Sequence, residues 1–323
     1  TLSYATSRVT TPGSLIYVNV GTYNETSQSN LSAGVSIDGA GRTLCKLIAS
    51  SSLTNFIYAS SPAGTNGNQS ISNITLDCSL LTTYGLIIIG RSNVNIHDCG
   101  FENAINYGLV LADEAGRSVH TEPTHWATGN IIRDNYFVNC GGDSWNSGSS
   151  SWVARAAIDI SGQDGILVQG NDINNKTGNR YGYGIKGLSF GGYHKGIKIL
   201  YNKIRTNIRD NVGERSFGFN IELWTGVGGI EIIGNDLNGA IDMGGYGYWD
   251  DYSYGFAMSV CDNILIQDTH PTNHSKTGLI LESGSRDGCY FCNNWVENFS
   301  IGFSLGTTAA SLIQGFNGVW VYY

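Results

Sequence analysis

The stretch GIEIIGNDLNGAIDM (Gly229 to Met243) decides the fold, because it contains two apolar runs joined by a polar turn at Asn235. In the first run, GIEIIG, every second residue is apolar, and a period of two predicts a β-strand. Asn and Gly tolerate left-handed backbone, which suits a tight turn. The second run, AIDMG, carries one acid, Asp242, among apolar neighbours. The stretch therefore predicts strand, turn and strand.

Copies of both runs recur along the chain. The first recurs as NVNIHDCGF from Asn93, NIIRDNYF from Asn130, GILVQGNDI from Gly165, GIKILYNKI from Gly196 and NILIQD from Asn263. The second recurs as GLIII from Gly85, GLVLA from Gly108, AIDIS from Ala157, GIKGL from Gly184, NIELW from Asn220, GLILE from Gly278 and GFSLG from Gly302. Self-similarity with a period of roughly 20 to 37 residues is typical of a repeat protein.

This repeat predicts an all-β fold, a right-handed, single-stranded parallel β-helix of roughly ten coils that forms one domain over residues 1–323, with long loops on one face. No amphipathic helix is predicted. A β-propeller is the competing architecture, but its blades need antiparallel strands and hairpin turns, and hairpin signals are missing. The composition agrees, with 44 Gly, 4 Pro, 41% hydrophobic and only 14% charged residues.

The N-terminal segments LIYVNVGTYNE (Leu15 to Glu25) and VSIDGAGRTLCKLIAS (Val35 to Ser50) resemble the first coils of the right-handed, pectate-lyase-like β-helix superfamily. The resemblance covers nearly the whole chain and is one of fold pattern. It implies a polysaccharide lyase of the alginate- or pectate-lyase type, although such folds also carry hydrolases, epimerases and phage tailspikes.

The third position of the second run predicts one outward row of side chains, stacked coil above coil. Its members in chain order are Ile87, Val110, Asp159, Lys186, Glu222, Asp242, Ile280 and Ser304. The four central members are charged, and the outer ones are apolar or neutral. We expect the charged members to be exposed at the floor of a cleft, so that replacing one costs little stability.

The row has two interpretations. It is either a solvated ladder of salt bridges, of the kind that Lys198 and Glu231 predict on the other strand type, or a catalytic row. We favour the catalytic row, because three acids around Lys186 leave an excess of negative charge, which a cation site or an acid–base pair would use.

The longest insertions fall beside the same coils, and the loops 141–155, 174–183 and 244–254 are predicted to wall the cleft. The segment from Arg155 to Arg215 contains ten Lys and Arg but only five Asp and Glu, although the whole chain carries a net charge of −8. A locally basic zone on an acidic protein predicts an acidic ligand. The expected substrate-binding residues are Arg155, Arg180, Arg209, Arg215, Trp224, Tyr246, Tyr248 and Trp249.

Three functions fit these residues. The favoured one is an extracellular lyase that cleaves a uronic-acid polysaccharide such as alginate by β-elimination, with Lys186 and Tyr183 as base and acid. Asp159, Glu222 and Asp242 would bind substrate or hold a divalent cation such as Ca²⁺, and Glu222 is also a catalytic candidate. The alternatives are a glycoside hydrolase that uses paired carboxylates and a non-catalytic, tailspike-like saccharide binder.

Other features of the sequence restrict the possible binding partners and the cellular location of the protein. No basic run or nucleic-acid-binding module occurs, and no apolar run approaches the length of a membrane helix, so neither nucleic acid nor a membrane is expected as a partner. No organic cofactor is expected, and the oligomeric state stays open. Seven cysteines predict mostly buried thiols with one disulfide at most. The pattern as a whole predicts a secreted protein.

Overall fold

The computed structural model describes residues 1–115, 121–146, 151–175, 182–187, 193–206, 219–224, 228–244, 258–267, 277–281, 288–305 and 319–322. Within these ranges the regular secondary structure is β-strand, apart from one short helix. Strands pair with strands one repeat further along the chain, and all pairings but one are parallel.

Each coil contributes strands to three faces. The first face holds the second sequence run, and its strands are Ser29–Asn30, Tyr107–Ala112, Ala156–Ser161, Tyr183–Gly187, Phe219–Trp224, Ala240–Gly244, Thr277–Leu281 and Ile301–Leu305. The second face comprises Leu15–Val18, Ser36–Gly39, Ile131–Arg133, Leu167–Gln169, Lys198–Leu200, Ile230–Ile233, Met258–Cys261, Cys289–Cys292 and Val319–Tyr322. The third face comprises Gly21–Glu25, Cys45–Ala49, Thr75–Asp77, Gly100–Glu102, Tyr136–Val138, Asp172–Asn174, Lys203–Arg205, Asp236–Leu237, Ile264–Ile266 and Trp295–Glu297.

Two long strands, Leu53–Ser72 and Thr82–His97, run through both the first and the second face. Short strands form a corner between these faces at Ala127–Thr128, Gln163–Asp164 and His194–Lys195. Parallel pairing from coil to coil on three faces is a parallel β-helix, which confirms the predicted fold class. The number of coils and the single domain over residues 1–323 stay predictions.

The three faces enclose a common apolar core. In one coil Ile185 comes from the first face, Ile199 from the second and Ile204 from the third, and each is fully buried. The glycines that open the second runs allow neighbouring coils to approach closely. A Cβ atom on Gly184 would lie 2.8 Å from the backbone oxygen of Asn220 on the next coil, so a larger residue would collide with that strand.

A ladder of buried asparagines lies between the second and third faces. Its members are Asn135, Asn171, Asn202, Asn235, Asn263 and Asn294. Each amide nitrogen donates to the amide oxygen of the next member, as in the 3.0 Å bond from Asn202 to Asn235. The same oxygen also accepts the backbone N–H of the preceding member, here at 2.9 Å. The sequence predicted these asparagines only as turn residues.

Two elements differ from the prediction. A helix, Leu2–Arg8, precedes the first coil, where Leu2 joins the core and its N–H donates to the buried carboxylate of Glu25 at 2.6 Å. The other difference is a hairpin in the predicted loop 141–155, where Asp143–Asn146 pairs antiparallel with Ser151–Ala154. Among the described residues, no helix is long and apolar enough to cross a membrane.

The cysteines follow the prediction. Cys261 and Cys292 lie in register on neighbouring strands of the second face and form a disulfide. The other five cysteines are buried thiols outside this disulfide.

Candidate functional site

The predicted row exists on the first face. Asp159 is the register partner of Lys186, Lys186 of Glu222 and Glu222 of Asp242, on four neighbouring parallel strands. The flanking positions also agree, with Ile87 and Val110 before Asp159, and Ile280 and Ser304 after Asp242. Because register partners in a parallel sheet lie about 4.8 Å apart, the four charged residues form one continuous line across four coils.

The expectation that these charges are exposed is wrong. Asp159, Lys186, Glu222 and Asp242 retain 0%, 7%, 5% and 1% of their accessible surface. They point away from the central core, as predicted, but the outer side of the first face carries an apolar cluster of its own. Its members are Ile87, Ile89, Tyr107, Val110, Ala112, Ala156 and Tyr183. The charges therefore lie in a shielded environment, where electrostatic interactions are stronger than in water.

Lys186 connects the central groups of the row. Its ammonium lies 3.5 Å from a carboxylate oxygen of Glu222 and 5.0 Å from the ring centre of Tyr183. The first contact is an ion pair, and the second is within range of a cation–π interaction. Lys186 and its three acidic neighbours in the row sum to a formal charge of −2. The row thus places three acids and one lysine side by side in a buried position.

Tyr183 adds a proton donor to this site. Burial raises the pKa of its phenol well above the usual value, and the negative charges of Glu222 and Asp242 raise the pKa further, with a smaller contribution from Tyr107. All these causes disfavour the phenolate. Tyr183 is therefore a neutral phenol at physiological pH, able to donate a hydrogen bond or a proton.

The neighbouring Lys–Glu pair on the second face shows how unusual this burial is. Lys198 and Glu231 are also register partners, and their charged atoms lie 3.4 Å apart. Their side chains are 50% and 40% exposed, whereas those of Lys186 and Glu222 are 9% and 6% exposed. The predicted solvated pair therefore exists on the second face, and the row on the first face is a different kind of site.

Asp159 stands apart from the other two acids. It lies two register steps from Glu222, about 9.6 Å, with the strand of Lys186 between them. The Ser161 hydroxyl donates to the Asp159 carboxylate at 3.4 Å. Among the described residues, which include all three acids, no group of three His, Cys, Asp or Glu side chains could hold a metal ion. These acids alone do not fit a cation, and the divalent-cation site stays a prediction.

The structure places few of the expected substrate-binding residues. Arg155 is half-buried, and its guanidinium lies 5.9 Å from the ring centre of Tyr107, beside the row. Trp224 ends the strand that carries Glu222. Other predicted contacts lie outside the described residues, as do most of the loops 174–183 and 244–254. These contacts are Arg180, Arg209, Arg215, Tyr246, Tyr248 and Trp249.

An aromatic line beside the row was not predicted. Tyr84 and Tyr107 stack with ring centres 5.7 Å apart, and Tyr183 and Phe219 meet edge to face at the same separation. The sequence carried a signal for it, because Tyr84, Tyr107 and Tyr183 each stand directly before the glycine of a second run.

The known proteins to which the chain is similar are distant from it. No protein-family model and no curated protein sequence matches the chain. Among solved structures, the chain is similar to the A-module of a mannuronan C-5 epimerase from Azotobacter vinelandii, with 14% identity over 99% of this chain and 93% of that one, and a TM-score of 0.41. It is also similar to DFA-IIIase from Arthrobacter chlorophenolicus, with 12% identity, coverage of 95% and 82%, and a TM-score of 0.47. A surface protein and adhesin of Streptococcus pneumoniae matches at 13% identity, with 91% of both chains covered and a TM-score of 0.46. Similarities this low decide nothing about the reaction.

Proposed function

We propose that this β-helix is an enzyme that cleaves glycosidic bonds in a polysaccharide, with Lys186, Glu222 and Asp242 at the centre of its site. One observation carries the proposal: two carboxylates lie on neighbouring coils, both buried, and a buried lysine is paired with one of them. Burying like charges costs several kcal/mol and is a poor way to stabilise a fold. Groups kept in that state are typical of acid–base catalysis.

The shape of the first face supports a linear polymer as the substrate. Register partners form one line from Tyr58 through the charged row to Ser304, a span of eight steps or about 38 Å. Half-buried aromatic rings at Tyr58 and Tyr84 lie on the same face. Aromatic rings offer an apolar surface and, in tyrosine, a polar tip, which suits sugar rings.

Hydrolysis is the reaction that this geometry supports best. Glu222 and Asp242 lie one register step apart, so their backbones are about 4.8 Å apart, and side chains that project from this spacing can bring their carboxyl groups to the separation of about 5 to 5.5 Å found in retaining glycosidases. Repulsion between the two carboxylates favours proton uptake by one of them, and the ion pair of Lys186 with Glu222 makes Asp242 the acid that takes the proton up more readily. We assign Glu222 as the nucleophile and Asp242 as the general acid.

In the first step Glu222 attacks the anomeric carbon while Asp242 protonates the departing glycosidic oxygen. In the second step Asp242 removes a proton from water, which attacks the anomeric carbon and releases Glu222. Tyr183, as a neutral phenol, donates a hydrogen bond to substrate or to one of the acids. Because both carboxyls are buried, binding of the substrate has to displace the groups that cover them.

The second candidate is the extracellular lyase acting on a uronic-acid polymer such as alginate. The contact between Lys186 and Tyr183 favours it, since a lysine base and a tyrosine acid would stand side by side. One observation ranks it second, because the three acids of the row would repel a uronate carboxylate.

Secretion is part of the proposal. The disulfide between Cys261 and Cys292 supports it, because disulfides persist mainly in oxidising compartments.

Product chemistry tests the proposal and separates the two reactions. The protein is incubated with a panel of neutral and uronic-acid polysaccharides, and both reducing ends and ultraviolet absorbance of an unsaturated uronate are measured. We expect new reducing ends without that absorbance. Absorbance that rises together with reducing ends would establish the lyase instead. Absence of new ends across a panel that includes glucans, fructans, pectate and alginate would contradict bond cleavage.

A further inference from the structure

A cavity opens on the first face in the N-terminal coils, away from the charged row. Its volume is about 430 Å³, within the usual range of small-ligand pockets. Its lining includes the side chains of Asn30, Ser32, Tyr58, Ser60, Ser61 and Arg91. Asn30 and Ser60 are exposed, so the cavity communicates with solvent. Hydroxyl, amide and aromatic groups of this kind suit a sugar.

Arg91 gives the cavity its charge. The residue is 2% exposed, and its guanidinium donates to the Ser61 hydroxyl at 2.9 Å and to the Gln69 side chain at 2.9 Å. It also donates to the backbone oxygens of Leu31 at 2.7 Å and Ser60 at 3.3 Å. All four acceptors are neutral, and no carboxylate in the described part of the chain pairs with Arg91.

A buried cation without an anion is costly, and natural proteins usually pair it. The cost is visible in the pKa of Arg91, which burial lowers to about 10. The four bonds use four of the five guanidinium N–H groups. The remaining N–H and the uncompensated charge are what an anionic ligand in the cavity would use.

The cavity is aligned with the charged row. Tyr58, in its lining, is the register partner of Ile87, which pairs with Val110, which pairs with Asp159. Tyr58 therefore lies three register steps, about 14 Å, from Asp159 and five steps, about 24 Å, from Glu222. A polymer that lies along the first face would pass both places.

We propose that this cavity is a subsite that binds an anionic substituent of the polysaccharide, a carboxylate or a sulfate group, through Arg91. The polymer is taken from the function proposed above, whereas the binding of an anionic group in the cavity does not depend on it. An anionic group is thereby held several coils away from the acids of the row, which would repel it. The substrate is then an acidic polysaccharide cleaved at a bond remote from this substituent.

Binding of small probes tests the inference without turnover. Sodium D-glucuronate, sodium sulfate and D-glucose are titrated into the full chain by calorimetry at constant ionic strength. We expect glucuronate or sulfate to bind and glucose to bind at least about tenfold more weakly. A preference for glucuronate identifies a uronic acid as the substituent, and a preference for sulfate identifies a sulfated sugar.

Two variants locate the binding. Arg91→Met removes the charge, and Ser32→Asp places a carboxylate in the cavity without breaking the bonds that Arg91 makes to neighbouring coils. We expect each to weaken anion binding about tenfold or more. Arg133→Gln, which removes a partly exposed cation on the second face, is the matched control and should bind like wild type.

Glu222→Gln should also bind the anion normally, so a failure of the proposed reaction is distinguished from a failure of the subsite. The inference is overturned if neither anion binds, or if binding survives unchanged in Ser32→Asp and in any folded Arg91→Met.

Discussion

At the scale of single residues, Lys186 sets the charge balance of the first face. Glu222 and Asp242 are like charges on neighbouring strands, an arrangement that destabilises a sheet, and only Glu222 contacts the ammonium within ion-pair distance. Removing the lysine or removing one acid should therefore have opposite effects on stability. Both changes should stop catalysis. Opposite effects on stability together with a loss of activity in both variants would distinguish a functional site from a ladder that only stabilises the fold.

We expect Asp242→Asn to raise the free energy of unfolding by about 1 kcal/mol while it reduces activity by about 100-fold or more, because it relieves the repulsion and removes the general acid. Lys186→Met should lower the free energy of unfolding by about 3 kcal/mol, since it leaves buried acids uncompensated. Denaturant unfolding and initial rates provide the measurement. Asp242→Asn that is less stable than wild type would contradict this account of the row.

The raised pKa of Tyr183 predicts how the stability of the protein depends on pH. Its folded-state pKa is raised well above the ordinary value of a phenol by burial and by Glu222 and Asp242, so its contribution to stability is complete below the unfolded pKa of about 10. That contribution is lost as pH rises above about 10, because the unfolded state releases the proton first. We expect the difference in unfolding free energy between wild type and Tyr183→Phe to shrink above that pH. A difference independent of pH up to the alkaline limit would show that the phenol is solvated.

At the scale of the elements, the strands of the first face were predictable position by position. A period of two fixes which side chains share a side of a strand, and a Gly, Ala or Asn marks the start of each second run, so the row from Ile87 to Ser304 follows from alignment alone. Burial of the row was not predictable, because it depends on what else covers the outer side of the sheet. Residues such as Ile89 and Ala112, which are register partners on neighbouring coils, belong to an apolar cluster on that side.

The asparagine ladder shows the same limit. A turn residue and a buried ladder residue look alike in one repeat, and only the hydrogen bonds between coils distinguish them. Leu2–Arg8 was missed for a related reason, since a helix of 7 residues has too few turns for its period to stand out.

The ladder yields a prediction at this scale. Asn202→Ala removes a buried amide and leaves the backbone N–H and the side-chain amide nitrogen of Asn171 without the oxygen that accepts from both. We expect the free energy of unfolding to fall by about 3 kcal/mol. Asn24→Ala, at an exposed position of the strand Gly21–Glu25, is the control and should change it by about 0.5 kcal/mol or less. Equal effects of the two substitutions would mean that the ladder contributes little.

At the scale of the whole molecule, burial in the core explains why the thiols of this protein should be unreactive. Five thiols are buried, and burial raises the pKa of Cys78 well above its usual range and that of Cys99 to about 12. The thiolate is the reactive form, so these groups should be inert while the coils stay closed.

We expect a disulfide reagent that reports thiols to find almost none in the native protein and five after denaturation without reductant. Reduction before denaturation should add the two sulfurs of Cys261 and Cys292. Rapid reaction of one or more thiols in the native protein would show that a coil opens easily, and seven thiols without reductant would exclude the disulfide.

The central claim is that the buried row on the first face performs catalysis and the exposed pair on the second face does not. The most direct measurement compares the initial rates of Glu222→Gln and Glu231→Gln on the polysaccharide that wild type cleaves. Both residues pair with a lysine on the same preceding coil. We predict a loss of about 100-fold or more for Glu222→Gln and a wild-type rate for Glu231→Gln, with both variants folded. Equal rates for the two folded variants would contradict the claim.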